Sequence, residues 1–245
     1  MLQLIRIVLG APFAAIWSLL MRIRRSIYNR NGGKHRCQYP FPVINVGNLS
    51  MGGTGKTPHV EYLVRLLQNR YSLAVLSRGY GRKTKGFRFA DHTSNSHEIG
   101  DEPLQYHKKY PHLPVAVDEN RRDGIEKIKQ VLPDTQVMLL DDAFQHLRIK
   151  AGLNILLTDY NNLYTDDHVM PYGDLRESPS AAKDAEIIIV TKCPSVLSQL
   201  HEKTIKEKLN PLPHQKVFFS YTTFLPIVPF NKKAKEQTNE IKSVV

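Results

Sequence analysis

The stretch Ser50-Met51-Gly52-Gly53-Thr54-Gly55-Lys56-Thr57 constrains this chain more than any other segment. A short apolar run, Val43-Ile44-Asn45-Val46, precedes it, and a helix-like segment, Glu61 to Leu67, follows. Strand, glycine-rich loop and a Lys-Thr helix start is the arrangement that wraps nucleotide phosphates. Backbone N–H groups without side chains in the way converge on phosphate oxygens, and the helix N-terminus adds partial positive charge. In such a loop Lys56 reaches the β- and γ-phosphates and Thr57 holds Mg²⁺. Pro58 fits too, because the first helical turn has no N–H to lose. The strict pattern G-x-x-x-x-G-K-[ST] fails only at its first glycine, where Ser50 stands.

Downstream, short apolar runs alternate with helical stretches. Leu73 to Leu76, Gly86 to Phe89, Pro114 to Val117, Val137 to Leu140, Leu153 to Leu157 and Glu186 to Val190 read as strands. Pro103 to Lys109, Asn120 to Val131 and Ser195 to Leu209 read as helices. Continuous apolar strands between helices predict a mainly parallel sheet buried on both faces, a doubly wound α/β fold of the P-loop NTPase kind. The expected organisation is an N-terminal helix over 1–30, a core over 31–215, and a linker strand with the start of a further lobe over 216–245. From Asn231 the sequence turns polar and lysine-rich, as a tail does.

The two cysteines, Cys37 and Cys193, lie far apart, and the ten histidines show no ligand spacing. That pattern predicts a reducing compartment and no structural metal. The net charge of +11 is unevenly placed, with no acidic residue before Glu61. Basic excess suits nucleic acid, an anionic membrane or acidic substrates. Without nucleic-acid signatures, or aromatics interleaved with the basic cluster, nucleic acid is not expected as a partner. The run Ile7 to Met21 is almost wholly apolar and Arg22-Ile23-Arg24-Arg25 follows at once. It falls short of the roughly 20 residues a span needs, and its charge order is not that of a signal peptide. An interfacial helix with arginines on lipid phosphates fits it. A helix packed on the domain fits its periodicity equally, and different faces can serve both.

Chemistry-bearing residues cluster at predicted strand ends, the ligand edge of such a sheet. Leu139-Leu140-Asp141-Asp142 offers carboxylates for Mg²⁺ opposite Thr57, and Ala143-Phe144-Gln145-His146 follows directly. Ser77-Arg78-Gly79-Tyr80-Gly81-Arg82 carries two arginines suited to phosphate. Gly100-Asp101-Glu102-Pro103 places two acids at a helix start, where capping is the alternative use. The loop Pro171 to Glu177 carries Arg176 beside Glu177, and Arg121-Arg122 adds a cationic point. Thr191-Lys192-Cys193-Pro194 resembles the guanine-reading N-K-x-D, but Pro194 replaces its aspartate, so adenine, hence ATP, is expected.

In order along the chain, these segments resemble the tetraacyldisaccharide 4'-kinases of lipid A synthesis. The resemblance runs through G-N-x-x-x-G-G-T-G-K-T-P at Gly47 to Pro58, L-S-R-G-Y at Leu76 to Tyr80, and G-D-E-P at Gly100 to Pro103. It continues through D-D-x-F-Q-H at Asp141 to His146 and L-R-E at Leu175 to Glu177. Ala143 stands where the family usually has glycine. The resemblance implies transfer of the ATP γ-phosphate, with Mg²⁺, to the 4'-hydroxyl of a tetraacyl disaccharide 1-phosphate. It also implies a site at the cytoplasmic face of a bacterial inner membrane. Ser50, Met51, Gly52, Gly53, Thr54, Gly55, Lys56 and Thr57 would bind nucleotide; Thr57, Asp141 and Asp142 would handle the metal. Asp101 would be the general-base carboxylate, acting with Lys56 and Asp142. Ser77, Arg78, Glu102, Arg121, Gln145, His146, Arg176 and Glu177 would line the pocket. Family members continue into a smaller lobe that supplies an Asp-His-His histidine to the catalytic aspartate, and no Asp-His-His occurs in this sequence. Weakened turnover is therefore expected of the chain as given. A ParA/MinD-type ATPase is the alternative, although its signature lysine is Met51 here; a non-catalytic nucleotide-binding fragment is another.

Overall fold

A computed structural model describes residues 2–30 and 36–223, with side chains from residue 10 onward. The polar stretch read as a tail from Asn231 lies outside the described residues. The strands are β1 (Val43–Asn48), β2 (Leu73–Ser77), β3 (Arg88–Phe89), β4 (Val115–Val117), β5 (Val137–Asp141), β6 (Leu153–Asp159), β7 (Ile187–Thr191) and β8 (Lys216–Phe219). They form one sheet in the order β3-β4-β2-β5-β1-β6-β7-β8. Every pairing is parallel except β3 with β4. The helices are α1 (Leu2–Asn29), α2 (Lys56–Leu67), α3 (Ser96–Ile99), α4 (Asp101–Lys109), α5 (Arg121–Val131) and α6 (Gln199–Leu209). A doubly wound α/β sheet is thus what the apolar runs build.

Strand periodicity sorts the core into two faces. Val75 and Leu139 pack with Val60 and Val64 of α2 and Tyr106 of α4. Their neighbours Ala74, Leu76, Met138 and Leu140 point the other way, onto Ile125 and Ile128 of α5. β2 and β5 are buried at every position, which is why they read as unbroken apolar runs. Toward β7, Leu156, Ile188 and Val190 pack with Ile205 and Leu209 of α6 and with loop residues Leu163, Val169 and Leu175. β8 adds to this sheet parallel to β7, so the sheet runs past the boundary read at residue 215. The extended stretch read at 86–89 shrinks to two antiparallel residues at the sheet edge.

Helix α1 is two-faced. Gly10, Ala14 and Arg25 are buried against the domain, whereas Phe13, Ile16, Leu20, Ile23 and Ile27 are exposed. The exposed residues recur at spacings of three and four, a continuous apolar stripe on the outer face. Among the described residues no helix is long and apolar enough to cross a membrane.

The sheet order decides where the chemistry lies. Parallel strands all point one way, so β2, β5 and β1, adjacent in the sheet, deliver Ser77, Asp141 and the loop after Asn48 to one edge.

Candidate active site

The loop after β1 is built around Asn48, which is fully buried at the strand's end. Its Nδ2 donates to the Gly52 carbonyl (3.2 Å) and to Thr54 Oγ1 (2.8 Å), and its Oδ1 accepts from Lys56 Nζ (3.4 Å). From below, Thr191 Oγ1 donates to the Thr54 carbonyl at 2.9 Å. Gly55 begins α2 in the left-handed region, φ 84°, which an L side chain resists. A Cβ built on Gly52 or Gly53 would have nothing within 4 Å, so the space over their backbone is open. That space, at the N-terminus of α2, fits an anionic group.

Asp141 ends β5 beside this loop, 4 % exposed. It accepts hydrogen bonds from Ser77 Oγ and Tyr106 Oη, each at 3.3 Å. Burial, then the charges of Asp142 and Glu102, push its carboxyl up to about 6, against the pull of Lys56 and Arg121. Asp142, one residue on, adopts φ 50°. Arg176 grips it with two nitrogens, at 2.8 and 3.1 Å, and Lys56 Nζ stands 3.8 Å away. Burial raises Asp142, but the Arg176 bonds and the surrounding cations outweigh it and hold the carboxyl below its ordinary range. Adjacent acids with opposite shifts are a pair prepared for different tasks.

The cationic wall is Arg121, Arg78 and Arg176. Arg121 is 2 % exposed at the start of α5 and donates to the carbonyls of Asp118, Asp141 and Asp142. Burial lowers it to about 10, still cationic at neutral pH. Its Nε and that of Arg176 are buried without a protein acceptor. Guanidinium groups lining the same cleft as an open glycine backbone suit phosphate oxygens. Burial, then Arg121 and further arginines, lower His146 to about 4, so it is neutral at pH 7.

These groups share one cleft of about 960 Å³. It brings together Ser50, Met51, Gly52, Gly53, Gly55, Lys56, Thr57, Ser77, Arg78, Glu102, Arg121, Asp141, Asp142, Gln145, His146 and Arg176. Three expected residues are elsewhere. Thr54 is buried inside the loop, holding its shape. Asp101, the first residue of α4, is exposed and does not line the cleft, which Glu102 does. Glu177 is buried against Arg25 of α1, and of the Arg176-Glu177 pair only Arg176 reaches Asp142. Sequence reasoning passed over Asn48, although its place just before the loop was a signal. It named Arg24 and Tyr80 in other clusters without placing them in the site, and it passed over Glu119; all three line the cleft. Arg24 comes from α1, and nothing local to its sequence marks that.

Known proteins resemble this chain along nearly its whole length. The family model for LpxK, tetraacyldisaccharide-1-P 4'-kinase, matches residues 6–243. A tetraacyldisaccharide 4'-kinase of Flavobacterium johnsoniae is 47% identical over 95% of this chain and 68% of its own length. One of Bacteroides thetaiotaomicron is 44% identical over 94% and 62%, respectively. The chain thus spans about two thirds of these relatives. Among solved structures, the "apo" form of LpxK from Aquifex aeolicus in complex with ATP aligns with a TM-score of 0.69 at 27% identity, over 93% of this chain and 86% of that one. The match over residues 6–243, at identities far above what a shared fold alone produces, means that the chain belongs to the LpxK family of tetraacyldisaccharide-1-P 4'-kinases.

Proposed function

We propose that this chain transfers the γ-phosphate of ATP to the 4'-hydroxyl of a tetraacyl disaccharide 1-phosphate, at a membrane surface. The observation that carries it is the meeting of the glycine loop, Asp141–Asp142 and Arg121–Arg176 in one cleft that α1 also lines, through Arg24. Phosphoryl transfer asks a protein for positioning and for cations where charge spreads, which these residues supply. The Gly52 to Thr57 backbone and Lys56 take the β- and γ-phosphates. Arg121 and Arg176 line the cleft beside them and supply positive charge where the transferred group would sit. The acceptor oxygen attacks the γ-phosphorus, the bond to the β-phosphate's bridging oxygen breaks, and ADP leaves. The hydroxyl proton goes to a carboxylate at the start of α4; the family resemblance gives that role to Asp101, while Glu102 beside it is the one that lines the cleft.

Mg²⁺, when bound, neutralises phosphate charge, and the residues to hold it are Thr57, Asp141 and Asp142. Among the described residues no group of three or more His, Cys, Asp or Glu is arranged for a metal. Mg²⁺ takes one or two carboxylates and completes its shell with phosphates and water, a demand that Asp141, Asp142 and the Thr57 hydroxyl could meet. A protonated Asp141 would be a poor ligand, so its ionised form is the one that would hold the metal.

The outer stripe of α1 supports a place on the cytoplasmic leaflet, where ATP is available. Phe13, Ile16, Leu20, Ile23 and Ile27 would enter the acyl boundary, with exposed Arg22 and Arg30 on lipid phosphates. Substrate would then enter the cleft past Arg24 without leaving the bilayer. The test is transfer of labelled γ-phosphate from Mg·ATP to tetraacyl disaccharide 1-phosphate in mixed micelles. Product that vanishes in Asp142→Asn supports the reading; folded, ATP-binding protein that makes none refutes it.

A further inference from the structure

Besides lining the cleft through Arg24, helix α1 contacts the Arg176 backbone and the chain neighbours of both Arg176 and Asp142. Along its inner face, residues 10, 17 and 25 lie two turns apart. A Cβ on Gly10 would stand 3.3 Å from the backbone nitrogen of Tyr172, so the loop before Arg176 is pressed onto the helix there. Two turns on, Trp17 Nε1 donates to the Arg176 carbonyl at 3.1 Å. Two further turns on, the buried Arg25 guanidinium is shared between Glu177 and Asp184. It also lies over the Phe144 ring, 5.6 Å from its centroid. Arg25 thus contacts the residue after Arg176 and the residue two after Asp142. The same loop is tied to the phosphate loop on its far side. Met51 N donates to the Asp174 carbonyl and Arg176 N to the Leu49 carbonyl, both at 2.7 Å. The Arg176 side chain completes the link through Asn48 and Asp142.

We propose that Trp17 and Arg25 are positioning residues, which hold Arg176 on Asp142 and Asn48 and so couple docking of α1 to occupation of the nucleotide cleft. The inference rests on Arg176 belonging to that cleft's chemistry, as proposed above. A bare packing role for α1 would not need donors aimed at positions 176 and 177 together. A buried guanidinium is costly unless its partners are matched, so Arg25 fixes Glu177 closely. Coupling is reciprocal: if α1 steadies the site, nucleotide steadies α1.

Trp17 is the chain's one tryptophan and reports directly. In the full chain, Mg·ATP is titrated while Trp17 emission is followed, and binding of labelled ATP is measured independently by equilibrium dialysis. The expected result is an emission change saturating with the dialysis curve. Trp17→Phe and Arg25→Lys should weaken Mg·ATP binding by about tenfold, within the usual range of coupling between sites, with far-ultraviolet circular dichroism unchanged. Emission blind to Mg·ATP while dialysis shows the site filled overturns the proposal, as does wild-type binding by both variants. If Arg25→Lys fails to fold, Trp17→Phe, which removes one donor from a partly exposed ring, decides alone. Coupling without lipid phosphorylation would refute the kinase reading and leave this inference standing; folded wild type that binds no Mg·ATP overturns both.

Discussion

Replacing Asp141 by asparagine should stabilise the protein at pH 8, in the absence of nucleotide and metal, while removing its capacity for Mg²⁺. The carboxyl sits 4 % exposed, and burial with its acidic neighbours moves it from an ordinary 3.8 to about 6. A carboxyl raised on folding contributes stability that is fully present below its unfolded value. That stability is lost as pH rises through the folded value, because the native state then has to hold an unwelcome charge. The rise of roughly 2 on the pH scale, at 1.36 kcal/mol each, makes the loss about 3 kcal/mol at pH 8. At pH 5 the native carboxyl is mostly protonated, and roughly half of the loss remains. Asparagine keeps an acceptor for Ser77 Oγ and Tyr106 Oη and carries no charge at either pH. The assay is urea unfolding of wild type and Asp141→Asn at pH 8 and pH 5, without ligands that would mask the effect by mass action. The variant's advantage should shrink by roughly half from pH 8 to pH 5. An advantage equal at both pH values, or one larger at pH 5, refutes the reasoning.

Mg·ATP affinity should rise with pH as Asp141 ionises around 6, and the rise should be absent in Asp141→Asn; calorimetry between pH 5 and 8 checks it. Asp101→Asn should abolish phosphoryl transfer with nucleotide binding intact, whereas Glu102→Gln should change the acceptor's KM more than kcat. The opposite outcome in steady-state kinetics moves the base role to the residue lining the cleft. Ile16→Glu with Leu20→Glu should cut binding to anionic vesicles by at least about a hundredfold, since each buried apolar side chain contributes about 1.5–3 kcal/mol; sedimentation with phosphatidylglycerol vesicles measures it. Gly100→Val should cost about 2–4 kcal/mol in urea unfolding, from a positive φ of 91° and a Cβ 2.9 Å from the Tyr80 carbonyl oxygen.

Local sequence carried the parts of this protein whose physics is local. The apolar runs of β1, β2 and β5 are buried on both faces, so they announce themselves without knowledge of partners. The phosphate loop is set by glycines and a helix start within one short segment, and Asp141–Asp142 by a strand running into acids. Two-residue β3 was overestimated, because an edge strand's length depends on the neighbour it pairs with, here β4.

Tertiary structure decided which of the polar clusters meet. The strand order β2-β5-β1, which chain order does not disclose, places Ser77, Asp141 and the glycine loop side by side. The opposite shifts of Asp141 and Asp142 arise from burial and from Arg176, 34 residues away along the chain. Leu-Arg-Glu looks like a single charged unit in sequence, yet Arg176 turns to Asp142 and Glu177 to Arg25 on α1. The apolar N-terminal run left a membrane face and a packing face equally open. Only the docked helix assigns Gly10, Ala14 and Arg25 to the protein and leaves Phe13, Ile16 and Leu20 outward. Helical periodicity fixes which residues share a face, but which face turns inward depends on the surface it meets.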